Sequence, residues 1–276
     1  MIRLRGGSVL LPRATSCYLE GLQMGTEVLG AVVVRRVKPG HRTQERVFFC
    51  VMTLLMMATI LLGFRKFYFP LGAKPAALSS GVIIAHGIVF SVFLALFGVQ
   101  VALIAARRVA LHMTLGLTVY GLAVLMIPLG VVSAADEIRR DLIMPSAFPV
   151  ADPYTFSLVS VMGMVMFGTL LGMSYVWRRR PEMHKRLALY AVLSMMDAGI
   201  DRWPWAAWGL SQGWSHWAYT GLLLLPVMYD LLSQGRVMTV TMVAAPFVWA
   251  MERLEIPLGD TRAWHWVAHW MLKHLT

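Results

Sequence analysis

The 276-residue chain is 58% hydrophobic and only 14% charged, and its mean hydropathy is +0.65. A soluble domain of this length needs more polar surface, so the composition excludes an ordinary soluble globular protein and predicts a membrane protein. The net charge of +11 does not indicate nucleic-acid binding, because the basic residues form short clusters at the ends of apolar segments.

Seven apolar segments follow one another along the chain. A hydrocarbon core about 30 Å thick needs about 20 helical residues, and a backbone in lipid is helical because it must satisfy its own hydrogen bonds. The sequence therefore predicts an all-α polytopic transmembrane helix bundle of about seven spans, or of six if the last segment is re-entrant. The segments are Val47 to Phe64, Gly81 to Ala106, Val109 to Ala135, Tyr154 to Trp177, Leu187 to about Ile200, Trp214 to Leu232 and Val237 to Met251.

Three parts are expected along the chain. Residues 1–44 lack the apolar region of a secretory signal and are predicted to be a disordered cytoplasmic tail, unless translation begins at Met24. Residues 45–251 form the transmembrane helical domain. Residues 252–276 contain three tryptophans at a spacing that predicts an interfacial amphipathic helix. A further set of tryptophans predicts an aromatic belt: Trp203, Trp205, Trp208, Trp214 and Trp217.

Basic residues cluster on alternate connections. Arg107 and Arg108 follow the second segment, and Arg178 to Arg180 follow the fourth. On the opposite side, Ala135 to Pro153 is predicted to be an exposed acidic loop. The positive-inside rule therefore places the N-terminus in the cytoplasm.

A repeated motif places one histidine near the start of two helices. Two arginines, three residues, His, two residues and Leu occur at Arg107 to Leu115 and again at Arg179 to Leu187. His112 and His184 are therefore expected at similar depths. Two imidazoles on facing helices are the ligand set of haem b. The alternative is that these histidines only pack, cap a helix or contact headgroups.

Other polar residues lie near the opposite ends of the helices. His86 and His216 form a second, weaker candidate pair of haem ligands. Asp197 and Asp201 share a helix face, and charged residues within membrane segments are usually functional. Together these four residues are candidates for an outer polar cavity that serves as a proton relay or a metal site. No His-Glu-x-x-His spacing supports the metal reading.

Several motifs between residues 45 and 250 resemble a family of uncharacterised bacterial multi-pass inner-membrane proteins. The resemblance implies a bacterial inner-membrane location, but the family has no established activity. A histidine expected shortly after Val237 is replaced here by Met238 and Thr239. The motifs are Ala85-His86-Gly87-Ile88-Val89-Phe90, Arg107-Arg108 with Leu111-His112, Arg179 to Leu187, Trp203-Pro204, and Tyr229-Asp230-Leu231 with Gly235-Arg236-Val237.

A fainter, architectural similarity is to cytochrome b561-like proteins, in which alternate helices pair histidines around haem. His112 and His184 on the third and fifth helices fit that alternation. The fourth helix offers no histidine to pair with His86.

Three functions stay open at this point. The first is a membrane electron-transfer component that binds haem b through His112 and His184. The second is a non-catalytic accessory or assembly subunit of a membrane complex. The third is a proton-relay or transport protein that uses Asp197. Expected partners are the lipid bilayer and membrane protein subunits, with no nucleic acid.

Overall fold

The computed structural model describes residues 41–69, 80–143 and 152–276, and within these ranges the chain is helical without any strand. The predicted all-α class is confirmed. Residues 1–40 of the predicted N-terminal tail lie outside the described part. The helices are α1 (His41–Gly63), α2 (Arg65–Tyr68), α3 (Gly81–Ala105), α4 (Val109–Ile143), α5 (Pro153–Val176), α6 (Pro181–Leu193), α7 (Asp197–Ile200), α8 (Trp214–Gln234), α9 (Thr239–Gly259) and α10 (Arg262–Leu275).

Four of the helices in the described ranges are long and apolar enough to cross a membrane, namely α1, α3, α4 and α5. The chain is therefore a multi-pass membrane protein by length and composition, and the count of seven is not confirmed. The later helices are more polar, since α8 contains Asp230 and α9 contains Glu252, Arg253 and Glu255. Such residues lower the mean hydropathy of a segment that is otherwise apolar.

The fifth apolar segment is broken into two helices. Helix α6 begins at Pro181, where the missing N–H of proline costs nothing, and ends at Leu193. Over the turn that follows, the amides of Met195 and Met196 donate to the carbonyls of Val192 and Leu193, three residues back. This tightening ends the helix, and α7 starts again at Asp197.

Helix α4 is longer than its apolar segment, because it continues through an acidic stretch that was expected to be loop. Asp136 accepts hydrogen bonds from Arg139 at 2.6 Å and Arg140 at 3.2 Å. These pairs are three and four residues apart, the spacing that stabilises a helix. The Ser80 hydroxyl also donates to Asp136 at 2.5 Å and ties the start of α3 to α4.

Helix α5 lies at the centre of the bundle and packs against α4, α6, α9 and α10. Phe167 on α5 is fully buried and meets Phe93 of α3 edge-on, with ring centroids 5.2 Å apart. Helices α1 and α7 touch through their backbones, because the carbonyl of Gly199 occupies the space that a Cβ on Gly63 would need. This contact fixes α7 against the bundle.

The bundle has two ends, which we name by their residues. The basic end holds the turns at Arg107–Arg108 and Arg178–Arg180, and the cavity end holds α7. At the cavity end α9 runs on to Gly259, and α10 then packs across α4 and α5 with Ala268 and Met271 buried.

The tryptophans divide between the protein interior and the surface. Trp205 is only 6% exposed and its indole N–H donates to Ile200, so it belongs to the core and was wrongly assigned to an aromatic belt. The indole of Trp203 donates to Thr59. Trp208, Trp214 and Trp217 are exposed, as a belt requires.

Candidate functional site

A cavity of about 400 Å³ lies at the cavity end among α1, α3, α4, α5 and α7. The break between α6 and α7 forms part of its wall through Ser194, Met195 and Met196. Much of the rest of the lining is polar, which is unusual between helices that are mainly apolar. The polar lining residues are Tyr68, His86, Ser91, Ser133, Glu137, Arg140, Ser160, Ser194, Asp197, Asp201 and Arg202.

Two of the lining residues each have a buried polar atom without a hydrogen-bond partner among the described residues. These atoms are Nδ1 of His86 and the hydroxyl oxygen of Ser133. The His86 ring stacks on Phe90 with centroids 3.9 Å apart, which fixes its plane. Buried polar atoms are normally satisfied by protein, water or ligand. The two atoms therefore mark places where water or a polar ligand completes the site.

Glu137 on α4 is held more loosely than its neighbour Asp136. Its carboxylate accepts one hydrogen bond, from Ser160 on α5 at 3.1 Å. Arg140 also lines the cavity but is bonded to Asp136. Glu137 therefore has no ion-pair partner within the described ranges.

Asp197 and Asp201 lie one helical turn apart on the cavity wall, as their spacing predicted. Arg202 was expected to pair with Asp201. Instead its guanidinium donates to the carbonyl of Ala198 at 2.7 Å and lies over the ring of Phe64. Neither aspartate forms an ion pair with any residue in the described part of the chain. Their carboxylates are therefore available to protons or to a solute in the cavity.

Of the four residues expected to share this cavity, three do so: His86, Asp197 and Asp201. His216 lies elsewhere, because its position on α8 faces α9, where Nδ1 is 3.1 Å from Glu252. His86 and His216 thus line different cavities. A metal site gains no support, since no three His, Cys, Asp or Glu side chains in the described ranges are placed to share an ion.

His112 and His184 meet at the basic end. Their ring centroids are 6.1 Å apart and the ring planes cross at 78°. Nδ1 of His184 is 2.9 Å from the hydroxyl of Ser174, and Nδ1 of His112 is 3.4 Å from the backbone carbonyl of Gln100. The repeated motif thus brings two imidazoles from α4 and α6 side by side, each with Nδ1 held by α5 or α3.

The sequence did not predict a buried ion pair at the basic end. Asp230 of α8 pairs with Arg186 of α6 at 2.5 Å. It also accepts from the Thr241 hydroxyl at 2.6 Å and from the amide of Met238 at 3.1 Å. Asp230 is fully buried and Arg186 is 2% exposed. Arg186 and Asp230 both lie in or next to apolar segments, and this could have indicated a buried ion pair. Which residues pair depends on how the helices pack.

Glu255 was also missed, because the predicted membrane domain stopped at Met251. It lies on the continuation of α9, is only 4% exposed, and its Oε1 has no hydrogen-bond partner among the described residues. Asp197, Asp201 and Glu252 are close enough to act on it electrostatically. The cavity end therefore contains a further buried carboxyl group close to Asp197.

No protein-family model matches the chain, and no curated protein or solved structure matches it. Arguments about function therefore depend on the geometry of the sites described above.

Proposed function

We propose that this chain is a multi-pass membrane protein that relays protons or transports a small polar solute through the cavity around Asp197. One observation carries the proposal: the fifth apolar segment breaks at the cavity and places Asp197 in its wall. Non-helical backbone at membrane depth is tolerated where it is buried or lines a cavity. Membrane transporters build their binding sites from discontinuous helices of this kind.

The acid–base groups of the cavity suit proton transfer. His86 offers a ring nitrogen without a partner among the described residues, and Asp197, Asp201 and Glu137 offer carboxylates that form no ion pair there. A carboxylate held in a salt bridge resists protonation, so groups without such a partner exchange protons more readily. Glu255 lies next to this set, and we assign it to the same relay.

The positive-inside rule gives the site a direction. We place the basic end in the cytoplasm and the protein in the bacterial inner membrane, so that the cavity faces the outer leaflet. Protons or solute then enter the cavity from the outer side.

Proton movement is tested with the full-length protein in lipid vesicles that contain a pH-sensitive dye. We expect a potential-driven pH change that Asp197→Asn abolishes, because the amide cannot exchange a proton. Asp141→Asn, a change to an acidic residue at the end of α4 that does not line the cavity, is the matched control and keeps the flux. Folded wild-type protein with no flux above empty vesicles, or an Asp197→Asn variant with full flux, would contradict proton relay.

A second candidate function is electron transfer through haem b, and the His112–His184 geometry favours it. The ring centroids of the two imidazoles are 6.1 Å apart, so His112 and His184 are the residues that would hold the haem iron. Hydrogen bonds at Nδ1 leave Nε2 of each ring for the metal, as is usual for ligand histidines. When bound, haem b supplies one-electron transfer.

The haem proposal is tested by the absorption spectrum of protein purified from haem-replete cells. We expect a Soret band and an α-band on reduction that His184→Ala removes. His265→Ala, which alters a histidine at the other end of the bundle, is the control and retains both bands. A colourless wild-type protein would exclude this candidate and leave the cavity proposal intact.

A further inference from the structure

A second cavity, of about 640 Å³, lies between α8 and α9. Its sides are formed mainly by apolar residues of the two helices, including Leu223, Leu224 and Val227 from α8 and Ala245 and Pro246 from α9. Leu224 is 49% exposed, so this groove opens on the surface that faces lipid in a membrane protein. An apolar groove on such a surface accommodates a hydrocarbon chain.

Most polar side chains of this groove lie toward its cavity end, and Thr241, at the other end, donates its hydroxyl to Asp230. Arg253 and His216 line the groove at the cavity end, with Trp217 and Trp249 beside them. About one helical turn deeper, the hydroxyl of Thr220 is buried and has no hydrogen-bond partner among the described residues. The groove is thus cationic at its mouth, offers one hydroxyl donor below, and is apolar beyond.

This order of groups matches the order along a phospholipid. We propose that the groove binds one anionic phospholipid, with its phosphate at Arg253 and His216, an ester carbonyl at the Thr220 hydroxyl, and an acyl chain beside Leu224 and Val227. Thr220 lies about 6 Å deeper than His216, and Val227 about 10 Å deeper than Thr220, at 1.5 Å of rise per residue.

Glu252 contacts both basic residues at the mouth of the groove. Its carboxylate lies 3.1 Å from Nε of Arg253 and 3.1 Å from Nδ1 of His216. The contact uses Nε of Arg253, and its terminal nitrogens form no hydrogen bond within the described residues. Because a guanidinium presents several donors in a fixed fork, Glu252 orients Arg253 while leaving its terminal nitrogens for a phosphate.

Lipid binding is tested by native mass spectrometry of the full-length protein, delipidated in detergent and then given equal amounts of phosphatidylglycerol and phosphatidylcholine. We expect one tightly bound phosphatidylglycerol and weaker retention of phosphatidylcholine. Arg253→Gln reduces phosphatidylglycerol retention by about fivefold, the contribution of one basic side chain at an anionic lipid surface. Arg262→Gln, which removes an exposed arginine on α10 at the same end, is the matched control and changes retention little.

Two further variants separate the groove from general lipid adhesion. Thr220→Val keeps the shape of the side chain but removes the donor, and we expect it to weaken both lipids equally. Val227→Trp fills the acyl channel and abolishes the bound lipid in protein that still migrates as a monodisperse species. Equal retention of the two lipids by the wild-type protein would overturn the anionic ligand, and unchanged retention by Val227→Trp would overturn the groove as the site.

Discussion

Two buried carboxyl groups, Asp230 at the basic end and Glu255 at the cavity end, have opposite surroundings. At the basic end, Asp230 receives donors from Arg186, Thr241 and the amide of Met238. At the cavity end, Oε1 of Glu255 has no such partner among the described residues, although Glu255 is almost as deeply buried. Both groups lie on helices of 21 residues, α8 and α9, so the difference lies in what surrounds them.

This contrast separates a structural role from a chemical one. A buried carboxylate with a guanidinium and two further donors has a fixed charge, and its partners hold three helices together. A buried carboxyl group without donors lowers stability and persists where it is needed for proton or ligand exchange. We therefore assign buried carboxylates that have donors to the structural framework of this protein. Buried carboxyl groups without donors belong to its candidate site.

The largest expected effect comes from breaking the ion pair at the basic end. Asp230→Asn leaves Arg186 buried without a counter-charge, and we expect a loss of about 3–5 kcal/mol in the free energy of unfolding. Thermal unfolding in detergent, followed by tryptophan fluorescence, measures it. The double change Arg186→Met with Asp230→Leu removes both charges and recovers most of the loss. A single variant that unfolds at the wild-type temperature would show that the pair contributes nothing.

A smaller effect is expected at the start of α5, where Asp152 is the N-cap. Its carboxylate accepts from the amides of Tyr154 at 2.9 Å and Thr155 at 3.3 Å. Replacing an N-cap by alanine costs about 1 kcal/mol, so Asp152→Ala lowers the unfolding temperature slightly. Asp152→Asn keeps an acceptor and serves as the control.

The Asp152 effect also depends on pH. Burial favours a higher pKa, but hydrogen bonds from Thr155 and Tyr154 and the charge of His265 hold the pKa of Asp152 below its usual value of 3.8. A lowered pKa stabilises the fold above the unfolded-state pKa, and this contribution is lost as the pH falls through the folded-state pKa. Unfolding temperatures of wild-type and Asp152→Ala protein therefore converge below about pH 4. A difference that stays constant to the most acidic pH would contradict this.

The smallest expected effect, that of Glu255→Gln, is the most direct test of the difference between Asp230 and Glu255. Glu255→Gln preserves the shape of the side chain and replaces a buried carboxyl group that has no donor at Oε1 among the described residues. We expect the free energy of unfolding to fall by less than about 0.5 kcal/mol, the low end of what one hydrogen bond contributes, because Oε1 has no hydrogen bond to lose; the same assay as for Asp230→Asn measures it. A loss as large as that of Asp230→Asn would mean that Glu255 is part of the structural framework, and the contrast between Asp230 and Glu255 would fail.

Helix positions in the apolar half of the chain could be predicted from the sequence, because length and hydropathy decide them. Helix α3 ends one residue before the predicted segment, and α5 begins and ends one residue early. Their starts also carry local signals, since Ser80 and Asp152 are side-chain caps. The repeated Arg-Arg motif likewise predicted that His112 and His184 lie at one depth, because equal spacing from a helix start gives equal rise.

The candidate site could be predicted only in part, because its decisive features depend on packing. Ser194, Met195 and Met196 are compatible with a continuing helix, so the local sequence does not predict the break before Asp197. Which carboxylate Arg186 would meet depends on the face that α6 turns toward α8. Glu255 was hidden because a polar stretch was taken to end the membrane domain, although α9 continues through it to Gly259.

The direct backbone contact between Gly63 and Gly199 has a mechanical consequence. The carbonyl of Gly199 leaves no room for a side chain at Gly63, so we expect the end of α1 and α7 to move together. Any change that admits or releases a solute must then displace these two segments against α3 and α4 on the facing wall. A cross-link between α1 and α7 would leave such a motion free, whereas one between α1 and α3 would arrest it.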